Sequence, residues 1–283
     1  MPILKQTSEW AKAQYEKFRL YHLASYALNH SVSSRNFNCF KEIEYGTLER
    51  QKFDLYQSRV GDSSSPVVIF VHGGAWKHGD KKDYRFIGES LAKEGFHVVV
   101  LNYRLAPENI FPVSVDDLNL CLNHLEQALG DYDIHTQRWV LMGHSAGAFN
   151  IMSSFYHANA ESKTKNPKIK ALIGLAGPYH FDYKDDPICA DAFDQSCPYQ
   201  RVMPYYFVYP NAVQHYLFTA EKDDIVGKSN SIDFAAALKN VGNHCETKEI
   251  AGLGHVSMIG AVASLFARFY DMKAEILTVL KQV

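Results

Sequence analysis

Ser145 stands between two glycines, Gly143 and Gly147, in the stretch WVLMGHSAGAFNIM that runs from 139 to 152. The first part of this stretch is apolar and β-prone and the last part reads as a helix, so the serine falls on the corner where strand gives way to helix. Such a G-x-S-x-G corner forces the serine into strained backbone angles, because side chains at the glycine positions would collide with neighbouring backbone. The strain holds the hydroxyl out above the sheet edge, and the N–H of Ala146, which begins the helix, points at the same spot. A hydroxyl held this way suits covalent catalysis, attack on a carbonyl followed by hydrolysis of the acyl-enzyme. A simple tight connection would use the same glycines, so the corner gains meaning only from its partners.

A serine hydroxyl is a weak nucleophile and needs a base, with a third group to orient that base. In an α/β sheet the chemistry gathers at the carboxyl ends of the strands. The strand at 246–250 is followed by AGLGHVSM, which puts His255 at that end, whereas His244 precedes the strand and lies at the other. The strand at 214–220 is followed by EKDDIV, which puts both Asp223 and Asp224 at the carboxyl end. The chain order is then Ser, Asp, His, as the motif's fold demands. Alone, a histidine in a Gly-rich loop is a solvated or capping residue and an aspartate in a turn holds the turn; their joint arrival at the right strand ends is the signal. An oxyanion hole should come from an earlier strand end. There 67–71 runs into HGGAWKHGD, where Gly73 and Gly74 let backbone N–H groups approach a substrate closely. GLGHVS lacks the third glycine of a dinucleotide fingerprint, and no GxxxxGK[ST] or HExxH is present, so neither cofactor nor metal is expected.

Strands are predicted at 41–45, 52–56, 67–72, 97–103, 138–143, 170–176, 214–220 and 246–250. Helices are predicted at 83–94, 114–129, 146–157, 230–241 and 257–281. Strand and helix alternate at spacings that need crossover connections, which argues for an α/β fold: a mostly parallel central sheet with helices on both faces. Residues 178–213, rich in tyrosine, phenylalanine and proline, break the alternation and read as a cap insertion. Residues 7–30 read as an amphipathic helix, with Trp10, Tyr15, Phe18, Tyr21 and Leu28 at near-helical spacing. A packing helix is its plain reading; a lid or a homodimer contact is the functional one.

The chain has 283 residues, 47% of them hydrophobic, which suits a single domain with a sizeable core. Its 29 basic and 31 acidic residues leave a net charge of −2, so neither nucleic acid nor an anionic membrane surface is an expected partner. Five cysteines with no CxxC pair argue against a disulfide framework or zinc site, although Cys189 and Cys197 could pair in an oxidising compartment. The start, MPILKQTSEWAKAQ, does not read as a signal peptide, and no apolar run approaches the roughly 20 residues of a membrane span. A cytoplasmic protein acting on a small molecule is the expectation.

With these residues in view, the chain resembles the α/β-hydrolase superfamily, in its esterase and kynurenine-formamidase-like branch, related to the hormone-sensitive-lipase group. The resemblance covers roughly residues 42–275 and rests on YGTLERQKFDLY, HGGAW, NYRLAPE followed by FP, GHSAG, AGPY, EKDDIV and GLGH. It implies Ser145 as nucleophile and His255 as general base. Asp223 becomes the orienting acid, because the family's loop reads Asp, two residues, then Val, here Val226; Asp224 is the fallback. Gly73, Gly74 and the N–H of Ala146, joined by Ala75, would form the oxyanion hole, and Trp76 would sit in the wall of the site. His144 and Tyr179 complete the expected pocket. The hormone-sensitive-lipase group has HGGG and GDSAGG, whereas this chain has Ala75, His144 and Ala148, which favours the formamidase-like branch. The aromatic insertion (Tyr179, Phe181, Tyr183, Tyr199, Tyr205, Tyr206, Phe207, Tyr209) suggests a mostly apolar acyl or aryl pocket, unless these rings simply pack the cap. Hydrolysis of short-to-medium esters, removal of formyl from an arylamine, and a non-catalytic binding protein on the same fold are the readings carried forward.

Overall fold

The computed structural model describes residues 28–29, 36–157 and 167–283. Of the expected N-terminal helix at 7–30, only Leu28 and Asn29 fall within them; the rest lies outside the described residues. Eight strands form one sheet in the order β1 (Phe37–Glu44), β2 (Lys52–Ser58), β4 (His97–Leu101), β3 (Val67–Val71), β5 (Trp139–His144), β6 (Ile169–Leu175), β7 (Gln214–Ala220) and β8 (Cys245–Ile250). β2 pairs antiparallel with β1 and β4, and every pairing from β4 across to β8 is parallel.

β3, β4 and β5 are buried at every position, which is why they read as unbroken apolar runs rather than alternating ones. The twofold period is still at work, sorting side chains between two cores. Val68, Phe70, Val98, Val100 and Met142 face α1 (Arg85–Ala92), α5 (His255–Gly260) and α6 (Met272–Gln282). Val67, Ile69, Val71, Val99 and Leu141 face α2 (Val113–Gly130), α3 (Ala146–Tyr156) and α4 (Ser229–Asn240). β8 closes one edge with Glu246, Lys248 and Glu249 exposed, charges that discourage pairing with another chain.

Two elements differ from expectation. The span 257–281 is not one helix: α5 ends at Gly260, and α6 begins at Met272. Ser90 Oγ donates to the carbonyl of Val262 at 2.6 Å, and i→i+3 bonds such as Ala263 N to Gly260 O tighten the chain there, so it turns through 261–271 instead. The span 83–94 opens as a 3₁₀ turn, Lys81–Tyr84, capped by the Asp80 side chain accepting from Lys82 N–H. The insertion carries only short 3₁₀ turns, Ala190–Ala192, Tyr199–Arg201 and Pro204–Phe207. Its apolar residues, with Trp76, Ala146 and Phe149, make a third and smaller core. Cys189 and Cys197 both remain thiols.

Candidate active site

The connection out of β3 goes to β4 on one side of it, and β5 then adds on the other, so a crevice opens above the carboxyl ends of β3 and β5. Val71 is in register with Gly143, and the residues that follow each strand therefore meet. Ser145 occupies the corner between β5 and α3 with φ 53° and ψ −122°, a strained conformation for a residue with a side chain. Its N–H donates to Leu175 O at 2.8 Å, and its carbonyl accepts from Ala148 and Phe149, so both sides of the corner are tied. The flanking glycines are required by contact. A Cβ at Gly147 would lie 2.0 Å from Val71 O, and one at Gly143 would lie 2.3 Å from Gly147 O.

The expected partners converge on the serine. His255, at the start of α5, brings Nε2 to 2.8 Å from Ser145 Oγ, and its Nδ1 lies 2.9 Å from Asp223 Oδ2. With Nδ1–H donating to the carboxylate, Nε2 is left to accept the serine proton. Asp223 Oδ1 accepts from the N–H groups of Ile225 and Val226 at 3.0 and 2.9 Å. Burial pushes the Asp223 carboxyl up, but its hydrogen bond to His255, the charge there and these two amides outweigh burial and hold it below the usual carboxylate range. Asp224 is exposed, and the carboxylate at His255 Nδ1 is that of Asp223.

Gly73 sits against the nucleophile, so that a Cβ on it would meet Ser145 Cβ at 3.0 Å and His144 O at 2.9 Å. The next three residues all have positive φ: Gly74 at 119°, Ala75 at 50° and Trp76 at 60°. Left-handed backbone costs an L-residue roughly 1–2 kcal/mol, so this loop persists only because its surroundings hold it. Lys77 and His78 N–H both bond back to Gly74 O, and Trp76 O accepts from Ala106 N–H. Beneath the loop, His72 Nδ1–H donates to Gly73 O at 2.8 Å, and its ring stacks on Tyr103. Ala146 opens α3, where an amide has no partner inside the helix, and the loop approaches this corner at Gly73.

The expected pocket residues are placed differently. His144 is buried behind the site, where its Nε2–H donates to the carbonyl of His255 at 3.0 Å. Burial first, then the neighbouring His255, pulls its pKa down to about 3, so it stays a neutral donor that fixes the base from behind. Tyr179 is fully buried in the sheet core, stacked on Phe234 with ring centroids 4.8 Å apart, its phenol laid over the backbone of Gly174 and Gly177. Neither is a pocket wall: both side chains are buried, and Gly174 in β6 and Gly177 just after it leave room for the Tyr179 ring. Trp76 is 5% exposed and its indole N–H donates to Asn150 Oδ1 at 2.9 Å. Asn150 was missed by the sequence reading; its one signal is a polar residue inside the apolar run AFNIM.

The strand order, the strained serine between strand and helix, and the Ser–His–Asp arrangement at the carboxyl ends are those of the α/β-hydrolase fold. The chain belongs to the BD-FAE family, whose sequence profile matches residues 53–238. It is similar to the isoprenylcysteine alpha-carbonyl methylesterase ICME of Arabidopsis thaliana, 30% identical over 201 residues that cover 68% of this chain and 45% of that protein. It is also similar to the kynurenine formamidase of Danio rerio, 23% identical over 225 residues, 77% of this chain and 75% of that protein. The chain thus spans less than half the length of the plant methylesterases it matches. Among solved structures, esterase B from Lactobacillus rhamnosis superposes with a TM-score of 0.76 at 16% identity, covering 100% of this chain and 96% of that one, a likeness of fold. Among the described residues, no helix is long and apolar enough to cross a membrane.

Proposed function

We propose that this chain is a serine hydrolase that cleaves short-to-medium acyl or aryl carboxylic esters through Ser145, His255 and Asp223. The observation that carries the reading is the unbroken hydrogen-bonded line from Ser145 Oγ through both ring nitrogens of His255 to Asp223, with steps of 2.8 and 2.9 Å. In the first half-reaction Ser145 Oγ attacks the ester carbonyl carbon, its proton moves to His255 Nε2, and the C=O pair becomes an oxyanion facing the amides of Gly73, Gly74 and Ala146, joined by Ala75. The C–O bond to the alcohol then breaks, and His255 gives that alcohol the proton. Water, deprotonated by His255, attacks the acyl-enzyme, and the acid leaves with Ser145 re-protonated. Asp223 holds Nδ1 protonated throughout and balances the imidazolium.

A second reading, hydrolysis of an aryl formamide, draws support from the kynurenine formamidase likeness, which extends over 77% of this chain and 75% of that protein. The same residues would act, with an arylamine as leaving group. Both readings are tested by comparing wild type with Ser145→Ala on p-nitrophenyl acetate, butyrate and decanoate and on N-formylkynurenine. Loss of about 10³-fold or more in kcat with the serine is expected. The preferred substrate then decides between ester and formamide, and a Ser145→Ala protein that keeps wild-type rates would end both.

A further inference from the structure

We propose that Asn150 is a positioning residue, which locks the oxyanion loop onto the nucleophile's helix through the indole of Trp76. The proposal rests on the serine-hydrolase reading above and adds the part that keeps the oxyanion donors aimed. Gly74, Ala75 and Trp76 form a run of three left-handed residues, two of which carry side chains. Local preference works against such a run, so a tertiary contact must hold its far end. Trp76 is that end. Its carbonyl is fixed by Ala106 N–H, and its indole N–H reaches Asn150 Oδ1 at 2.9 Å. Asn150 lies in α3, five residues after Ser145, and is fully buried. One hydrogen bond therefore ties the loop that would carry two oxyanion donors to the helix that carries the nucleophile and the third.

The chemistry of the pair argues that this is its purpose. An indole can only donate, so the Asn150 carbonyl must face it, and that orientation leaves Asn150 Nδ2 buried with no partner among the described residues. Ser114 Oγ adds a second bond to the same oxygen at 3.2 Å. A fully buried amide whose NH₂ has no partner among the described residues is a poor choice for packing alone, where leucine would suffice. The Trp76 ring is also clamped by Phe149 at 5.1 Å and by Phe193 of the cap at 4.8 Å, both edge-on. Its angle is thus set by packing, and its reach along the loop by Asn150. Without the bond, the loop can relax toward ordinary backbone angles and swing the Gly74 and Ala75 amides off the oxyanion.

The test uses Asn150→Leu, Trp76→Phe and the double variant. Measurements are kcat and KM on p-nitrophenyl butyrate, the affinity of a trifluoromethyl ketone with a matching chain, and urea unfolding. The ketone takes up Ser145 Oγ at its carbonyl carbon while the serine proton passes to His255, leaving an oxyanion in the hole, so its affinity reports the donors directly. Each single variant should lower kcat about 10- to 100-fold with KM within about threefold, a fraction of the roughly 10²–10³ that one oxyanion donor supplies. Ketone affinity should fall by the same factor as kcat/KM, and the double variant should be no worse than the poorer single one. Folded variants that keep kcat within threefold, or lose kcat while ketone affinity holds, overturn the proposal. Should Asn150→Leu not fold, Trp76→Phe removes the same bond from the other side and carries the test alone. A wild-type protein that neither hydrolyses the ester nor forms a ketone adduct overturns the hydrolase reading itself; an active wild type with unaffected variants overturns only the role of Asn150.

Discussion

Lowering the pH from 7 to 5 should remove about 6 kcal/mol of folding stability through three buried histidines that the fold keeps neutral, and His97 and His157, whose pKa values burial also lowers, add to the loss. His144 donates Nε2–H to the His255 carbonyl, His72 donates Nδ1–H to Gly73 O, and His215 lies between the Tyr156 hydroxyl at 2.7 Å and His244 O at 3.1 Å. All three are buried, and burial is the main reason their pKa values fall to about 3 for His144 and about 4 for His72 and His215. In the unfolded chain each returns to ~6.5. A folded value below the unfolded one means that the unfolded state binds more protons, so stability is complete above pH 6.5 and declines as the pH falls beneath it. At pH 5 all three are still neutral in the native protein, so each costs about 2 kcal/mol, set by the unfolded value alone. Asp223, whose folded value is lowered, adds its own loss only at lower pH, once the solution reaches the range where an unfolded carboxyl titrates, about 4. Domains are typically stable by about 5–15 kcal/mol, so a loss of this size is roughly two fifths or more of the whole stability. Urea unfolding followed by tryptophan fluorescence at pH 7, 6 and 5 measures the effect. His215→Gln, remote from the site, should flatten the slope by one proton. A stability difference below about 1 kcal/mol between pH 7 and pH 5 would refute the reasoning.

Further outcomes follow from single contacts. Asp223→Asn, which keeps the shape but offers His255 the wrong partner, should cut kcat/KM by about 10³–10⁴ with the fold intact, while the same change at the exposed Asp224 stays within about twofold; esterase kinetics on both variants checks the choice of acid. Gly147→Ala would force a methyl to 2.0 Å from Val71 O, and since backbone cannot step aside, a loss of about 3 kcal/mol or more is expected. Gly130→Ala, with nothing within 4 Å and a helical position, should be neutral or gain up to about 1 kcal/mol; denaturant midpoints compare the two. Lys81→Met removes the cation 2.8 Å from the buried Asp54 and should cost about 3–5 kcal/mol, read as a drop in Tm, because a buried carboxylate is left without its partner.

Much of the site was legible because its residues act through local geometry. The two glycines around Ser145 are dictated by contacts within a few residues and one neighbouring strand, so their spacing survives in the sequence as a motif. His255 and Asp223 could be found by asking which groups follow which strands, since a parallel sheet delivers every such group to one end. The alternation of buried strands and helices gave the fold class for the same reason: apolar period is a one-dimensional trace of burial. The span 257–281 went wrong because its apolar pattern continues past Gly260 while the Val262 carbonyl is taken by Ser90, a residue far away in sequence.

Residue types and their order along the chain pointed to Ser145, His255, the pair Asp223 and Asp224, and the sheet that aligns them. Only the tertiary structure decided which face of each side chain is used. It turned His144 inward onto the His255 carbonyl, sank Tyr179 into the core over Gly174 and Gly177, and set Asn150 against Trp76. These are contacts across elements separated by tens of residues, made by side chains whose polarity alone says nothing of direction, and their partners are fixed only when the layers close on one another.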